Sequence, residues 1–287
     1  MVDRARETEL LEAALDSGAN VLLEGPPGTG KSTLLRWVAS QRSTPFVLVE
    51  GNAELTPARL VGQFDPSLVL DRGYDEDIFV DGPLLSAMRS GGLLYVEELN
   101  RVPEETVNTL LAVMSEREIA VPRLGVVRAA AGFSVVAAMN PYDAVGTARV
   151  SGAVYDRTCR IRMGYQTAAS EQRIVLSQAT PVPPDWSAQA VALVRATRDH
   201  PDLRVGSSVR GAIDLSGVAH HLAHRRGVPV TDWQVGLDAA WLALSGRVRA
   251  EEASTRTTEA VIEELYRRIF GPAPEPRDRS GAPPGER

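Results

Sequence analysis

Residues 25–32, GPPGTGKS, place two glycines, a lysine and a serine at a spacing suited to holding a phosphate. The pattern G-x-x-x-x-G-K-[ST] is filled by Gly25, Gly30, Lys31 and Ser32. Glycines let the backbone curl so that its N–H groups face an anion, while the lysine reaches the β- and γ-phosphate oxygens. The serine hydroxyl can ligate Mg²⁺, and the N-terminus of the helix that follows adds positive potential. The run Gly25, Pro26, Pro27, Gly28, Thr29, Gly30, Lys31, Ser32, Thr33 is therefore expected to bind a nucleoside triphosphate. The alternative is an ordinary Gly/Pro turn. The apolar strand before it (NVLLE) and the amphipathic helix after it argue for the phosphate site.

A second run, GGLLYVEELNR (residues 91–101), is apolar until it meets Glu97 and Glu98. Carboxylates at the tip of a buried strand are costly unless compensated by a salt bridge, a metal ion or a water to be activated. Beside a triphosphate site two of these roles have a place: one acid holds Mg²⁺ and its neighbour positions the attacking water. Glu97 is expected on the Mg²⁺ side and Glu98 as the general base. The usual pair is Asp-Glu. Mg²⁺ is strict about octahedral geometry but tolerates an intervening water, so the longer Glu97 is expected to serve. An exposed acidic strand end is the plain alternative.

These residues need a scaffold. Short apolar runs at 20–24, 45–50, 91–98, 133–140 and 158–163 read as strands, with helical patterns between them, notably 102–116 with Pro103 near its start. Such alternation predicts a parallel sheet with helices on both faces, an α/β domain over residues 1–165. Residues 166–270 read as successive helices, and 271–287, rich in Pro, Gly and charge, as a disordered tail. Two segments exceed ordinary connections. Residues 51–82 carry Tyr74 and Phe79, which suit either a partner contact or a packed insert. Residues 117–131 alternate as a β-hairpin turning near Arg123–Gly125.

Bulk composition bounds the function. With 287 residues, 44% of them apolar, the chain can bury a sizeable core. A net charge of −6 without any Lys/Arg-dense tract argues against a general nucleic-acid binder. The single Cys159 excludes a disulfide within the chain and fits a reducing compartment; we read it as packing. No apolar run approaches the roughly 18 residues of a membrane span, so a cytoplasmic protein is expected. His220 and His224 share a helix face at i, i+4, but no His-Glu-x-x-His pattern accompanies them, and a basic helix end is the better reading. Trp233, Leu237, Ala240, Trp241 and Leu244 form a stripe that reads as core.

With the phosphate loop, EELNRVPEETVNTLLAVMSE, AAMNPYDAVGTARVSGAVYDR and SVRGAIDL in hand, the chain resembles the AAA+ ATPases over residues 5–270. More narrowly it resembles the MoxR family, related to the chaperone ATPases of Rubisco and nitric-oxide reductase activation and to the magnesium-chelatase ATPase subunit. The resemblance implies an AAA+ P-loop core with a small all-α lid, and a homo-oligomer, often a hexameric ring. It implies sensor 1 at Asn140, an arginine finger at Arg157 with Arg149 a weaker candidate, and sensor 2 at Arg210, acting in its own subunit or its neighbour's. Asn140 also suits a simple Asn-Pro turn, Arg157 a surface pair with Asp156, and Arg210 an ordinary helix start. Residues 51–82 then match the insert within the second helix and 117–131 the hairpin before sensor 1. The implied function is Mg²⁺-dependent ATP hydrolysis that remodels or activates a protein partner, one with a von Willebrand factor A domain. The alternatives are a DNA motor or transcriptional regulator, and a slow ATP-binding switch.

Overall fold

The computed structural model describes residues 2–141, 150–178 and 181–274. Most of the expected tail and the weaker finger candidate Arg149 lie outside the described residues. The chain divides into two compact units, residues 3–165 and residues 166 onward.

In the first unit α1 (Ala5–Asp16) leads to β1 (Val21–Glu24) and α2 (Lys31–Gln41). β2 (Phe46–Glu50) is followed by an insertion made of α3 (Pro57–Val61), β3 (Gly62–Phe64), α4 (Pro66–Arg72) and β4 (Phe79–Asp81). The chain returns through α5 (Pro83–Ser90) and β5 (Leu93–Glu97) to α6 (Glu104–Glu116), then forms a hairpin of β6 (Glu118–Val121) and β7 (Gly125–Arg128). β8 (Ser134–Met139), α7 (Gly152–Asp156) and β9 (Cys159–Arg162) complete it.

The five long strands form one parallel sheet in the order β2-β5-β8-β1-β9. The central strands are runs of Val, Leu and Ala because both faces are covered. Alternation sorts them: Leu22, Leu94, Val96, Val135 and Ala137 pack with the α5 and α6 side chains Leu84, Met88 and Leu110. Val21, Leu23, Leu93, Tyr95, Val136 and Ala138 pack with Leu11 of α1 and Leu34 of α2. In register, Val96, Ala137 and Leu22 stand in one row across β5, β8 and β1. The chain therefore leaves these three neighbouring strands at the same edge, where parallel sheets bind ligands.

Cys159 corrects the sequence reading. It sits on the edge strand β9 and is exposed rather than packed. Tyr74 is 53% exposed, yet its ring meets Phe64 edge-on at 5.1 Å, and the Arg123 guanidinium from the hairpin turn lies 4.0 Å from its centroid. Phe79 makes a second T-shaped contact with Phe64 at 5.0 Å. The insertion and the hairpin thus touch through a cation–π contact.

The second unit holds α8 (Ala168–Ser177), α9 (Pro184–Ala196), β10 (Leu203–Val205), α10 (Val209–Arg226), α11 (Trp233–Leu244), β11 (Arg249–Ala250) and α12 (Thr258–Phe270). The two short strands pair antiparallel, and neither is long enough to show a period in sequence. Leu237, Ala240 and Leu244 of the expected stripe are buried, with Trp233 and Trp241 packed against them. His224 closes α10 with Arg225 and Arg226, complementing the helix dipole. Among the described residues no cluster of His, Cys, Asp and Glu could hold a metal, and no helix is long and apolar enough to cross a membrane.

Glu171 of α8 is 2% exposed and accepts hydrogen bonds from Arg195 at 3.1 Å and Arg198 at 2.8 Å. Removing one partner of such a buried network leaves charge uncompensated, at a cost of about 3–5 kcal/mol. Glu171→Ala should lower the stability of the helical unit by that amount in chemical denaturation. Three of the four tryptophans, Trp186, Trp233 and Trp241, report on that unit by fluorescence. A loss below about 1 kcal/mol would place the cluster in the class of solvated pairs.

Candidate active site

The loop between β1 and α2 closes over its own backbone. Gly25 continues the ladder, its N–H donating to the Met139 carbonyl of β8 at 3.2 Å. A Cβ at Gly25 would run into the Met163 carbonyl oxygen, so only glycine fits. Gly30 caps α2 at φ +85°, in the left-handed region, and offers no side chain to the first helical N–H groups. Those donors have no side-chain cap. Lys31 Nζ donates to the carbonyls of Gly25 at 2.7 Å and Pro26 at 2.9 Å, and Thr29 Oγ1 donates to Pro26 at 3.0 Å.

A residue absent from the sequence-based candidates braces this loop. Arg4, 6% exposed, donates to the Thr29 carbonyl at 2.9 Å and the Gly164 carbonyl at 2.7 Å, with Glu7 as its ion partner at 2.6 Å. Nothing local in the sequence marks it, because both carbonyls are brought to it by the fold.

The two residues expected on the metal side meet directly. Ser32 Oγ, in the first turn of α2, donates to Glu97 Oε1 at the end of β5 at 2.5 Å. Two hard oxygen donors side by side suit Mg²⁺. Under them lies Tyr95, fully buried, its hydroxyl 3.3 Å from Ser32 Oγ and 3.5 Å from Glu97 Oε1. Burial pushes the Tyr95 phenol well above its ordinary range, and Glu97 adds to the effect against the opposing Ser32 bond, so it stays an O–H group.

Glu98 has φ +52°, uncommon for a non-glycine residue, and starts the short 3₁₀ turn Leu99–Arg101. Its carboxylate pairs with Arg101 Nε at 2.9 Å. Asn100, from the same turn, donates weakly to the Asn140 carbonyl at 3.5 Å, which ties the end of β8 to the end of β5. Asn140 is half-buried there.

A buried acid just before the loop also escaped sequence reading. Glu24, 5% exposed, accepts from Tyr155 Oη at 2.8 Å and lies 3.5 Å from Arg160 and 3.8 Å from Arg162. Burial, then the Glu24 hydrogen bond, raises the Tyr155 pKa. Its readable signal was a charge inside an apolar strand.

Arg157 does not join the loop. Its guanidinium donates to Ser115 Oγ of α6 at 2.7 Å and the Ala153 carbonyl at 3.2 Å, and lies 3.8 Å from Asp156. Arg210, in the first turn of α10, is exposed and has no hydrogen-bond or ion-pair partner among the described residues.

Residues 20–158 match the family described as the AAA domain of the dynein-related subfamily. The first unit has the AAA+ P-loop fold. An uncharacterised protein of Staphylococcus haemolyticus is 35% identical over 156 residues, 54% of this chain. That match spans 59% of the relative's length. Another from Staphylococcus epidermidis is 29% identical over 233 residues, covering 77% of this chain and 85% of the relative. Among solved structures, a candidate ATPase from Cytophaga hutchinsonii aligns with a TM-score of 0.52 at 21% identity, covering 94% of this chain and 90% of that one. The Holliday junction branch migration motor RuvB of Thermotoga maritima aligns at 0.55 and 16% identity, covering 83% of this chain and 67% of that one. NtrX of Brucella abortus, solved with ADP, aligns at 0.52 and 18% identity over 75% of this chain and 48% of that one. At these identities the structural likeness concerns the fold.

Hydrogen bonds to a charged group contribute about 1.5–3 kcal/mol each. Lys31→Ala should therefore weaken ATP binding by roughly 10–100-fold, read by titration calorimetry, with the unfolding temperature unchanged. An unaltered Kd would remove Lys31 from the phosphate site.

Proposed function

We propose that the chain is an Mg²⁺-dependent ATPase that works as a ring, in the manner of the MoxR family it resembles, and remodels or activates a protein partner. The observation that carries the reading is the 2.5 Å contact of Ser32 with Glu97, beside a loop whose lysine folds back onto the Gly25 and Pro26 carbonyls. Bound Mg²⁺ would neutralise charge on the phosphates. Lys31 and the α2 N-terminus bind and orient those phosphates, and Ser32 and Glu97 hold the ion. Glu98 takes the proton of the attacking water, which Asn140 orients. Arg157 reaches a neighbouring subunit's γ-phosphate and Arg210 the γ-phosphate from the helical lid. A partner carrying a von Willebrand factor A domain would supply client specificity.

The exposed Glu98–Arg101 pair favours one second reading, a chain that holds ATP and turns it over slowly until the pair opens. Single-turnover hydrolysis separates the two.

Steady-state ATPase activity against protein concentration, with sedimentation on the same samples, tests the proposal. Activity should rise as the ring assembles. Glu98→Gln should lose about 10²–10⁴ in rate and Arg157→Ala about 10³–10⁵, with ATP binding kept in both. Concentration-independent activity that survives Arg157→Ala would leave a self-sufficient monomer and remove the shared site.

A further inference from the structure

The hydroxyl of Tyr95 has no packing reason to exist. Leu93, Tyr95 and Glu97 alternate onto the face of β5 that meets α1 and α2, and the Tyr95 ring fills the core there beside Phe46, centroids 6.0 Å apart. A phenylalanine would fill the same volume. At zero exposure the extra oxygen costs free energy unless it is hydrogen-bonded. Its two side-chain neighbours are Ser32 Oγ and Glu97 Oε1, the pair of oxygens suited to the cation.

Hydrogen-bond bookkeeping at these three oxygens shows what the hydroxyl can do. As the residues stand, Ser32 gives its proton to Glu97. If Ser32 Oγ and Glu97 turn lone pairs to a cation, that short bond opens and the serine proton needs another acceptor. A phenol both accepts and donates, so Tyr95 can accept from Ser32 and donate to Glu97 without either group moving far. The same bridge holds a glutamate that is one methylene longer than the usual aspartate.

We propose that Tyr95 is a positioning residue for the divalent cation, its hydroxyl holding Ser32 and Glu97 in line through a buried bridge. The role rests on the Mg²⁺ site proposed above and on the ATP bound there. Partners behind metal ligands set cation affinity by about 10–100-fold when removed.

Tyr95→Phe deletes that one oxygen and keeps the ring. Three readouts on the full chain define the test: Mn²⁺ binding to the chain loaded with ADP, followed by electron paramagnetic resonance; ADP affinity in excess chelator; and thermal unfolding without ligand. The expected result is Mn²⁺ binding weaker by about 10–100-fold, with chelator-state ADP affinity and unfolding temperature unchanged. Equal Mn²⁺ affinity in the two proteins would overturn the role. A parallel loss of chelator-state ADP binding and of unfolding temperature would also overturn it, reducing Tyr95 to a core residue. If the wild-type chain itself binds ADP but no Mn²⁺, the cation site fails, and the Tyr95 role falls with it.

Discussion

Ser32 and Glu97 are 65 residues apart in sequence and share a hydrogen at 2.5 Å. That contact requires the first turn of α2 to reach across the end of β8 to the end of β5, and most of the first unit is arranged so that it can. The parallel register sets the three strand ends level, the two apolar faces hold the sheet between helices, and Gly25 lets the loop turn against Met163. A carboxylate at this position would be a liability in a fold without the loop. Here its neighbours are a hydroxyl from the helix and a phenol from below.

Buried charge elsewhere follows the same rule of compensation. Glu24 sits among Tyr155, Arg160 and Arg162, Arg4 between two carbonyls and Glu7, and Glu171 between two guanidinium groups. The residues assigned to the reactive end of the phosphate are held differently. Glu98 and Arg157 are partly exposed, with side-chain partners of the surface kind, worth about 0–1 kcal/mol, and these exchange at little cost. Arg210 lies exposed on its own helix. The residues proposed to bind are thus locked in place, while those proposed to act on the phosphate can be re-paired. The left-handed backbone at Glu98 fits that division, since strained conformations persist where surrounding structure imposes them.

The insertion and the hairpin meet each other through a cation–π contact. Phe64 makes T-shaped contacts with both Tyr74 and Phe79, and Arg123 of the hairpin covers Tyr74. Leu70 at 88% and Val80 at 59% exposed leave apolar surface on the insertion. The packed reading holds for Phe79, while Tyr74 stays half in solvent against the Arg123 guanidinium.

Much was legible in the chain itself. The phosphate loop, the acidic end of β5 and the alternation of strand and helix are local patterns, because glycine conformations, strand burial and helix periodicity are set by neighbouring residues. Cys159 went astray for a physical reason: an edge strand has one unpaired side, and a four-residue run does not reveal that it stands at the edge. Arg4, Glu24 and Tyr95 as parts of the site, and the two-stranded ribbon of β10 and β11, could not be read because their partners lie far along the chain. Sequence alone carried the pattern of a phosphate loop and a carboxylate pair and the residues expected in each. Only the tertiary structure decided that Ser32, Tyr95 and Glu97 meet, since that depends on the strand order β5-β8-β1, which long-range packing sets and no local spacing encodes.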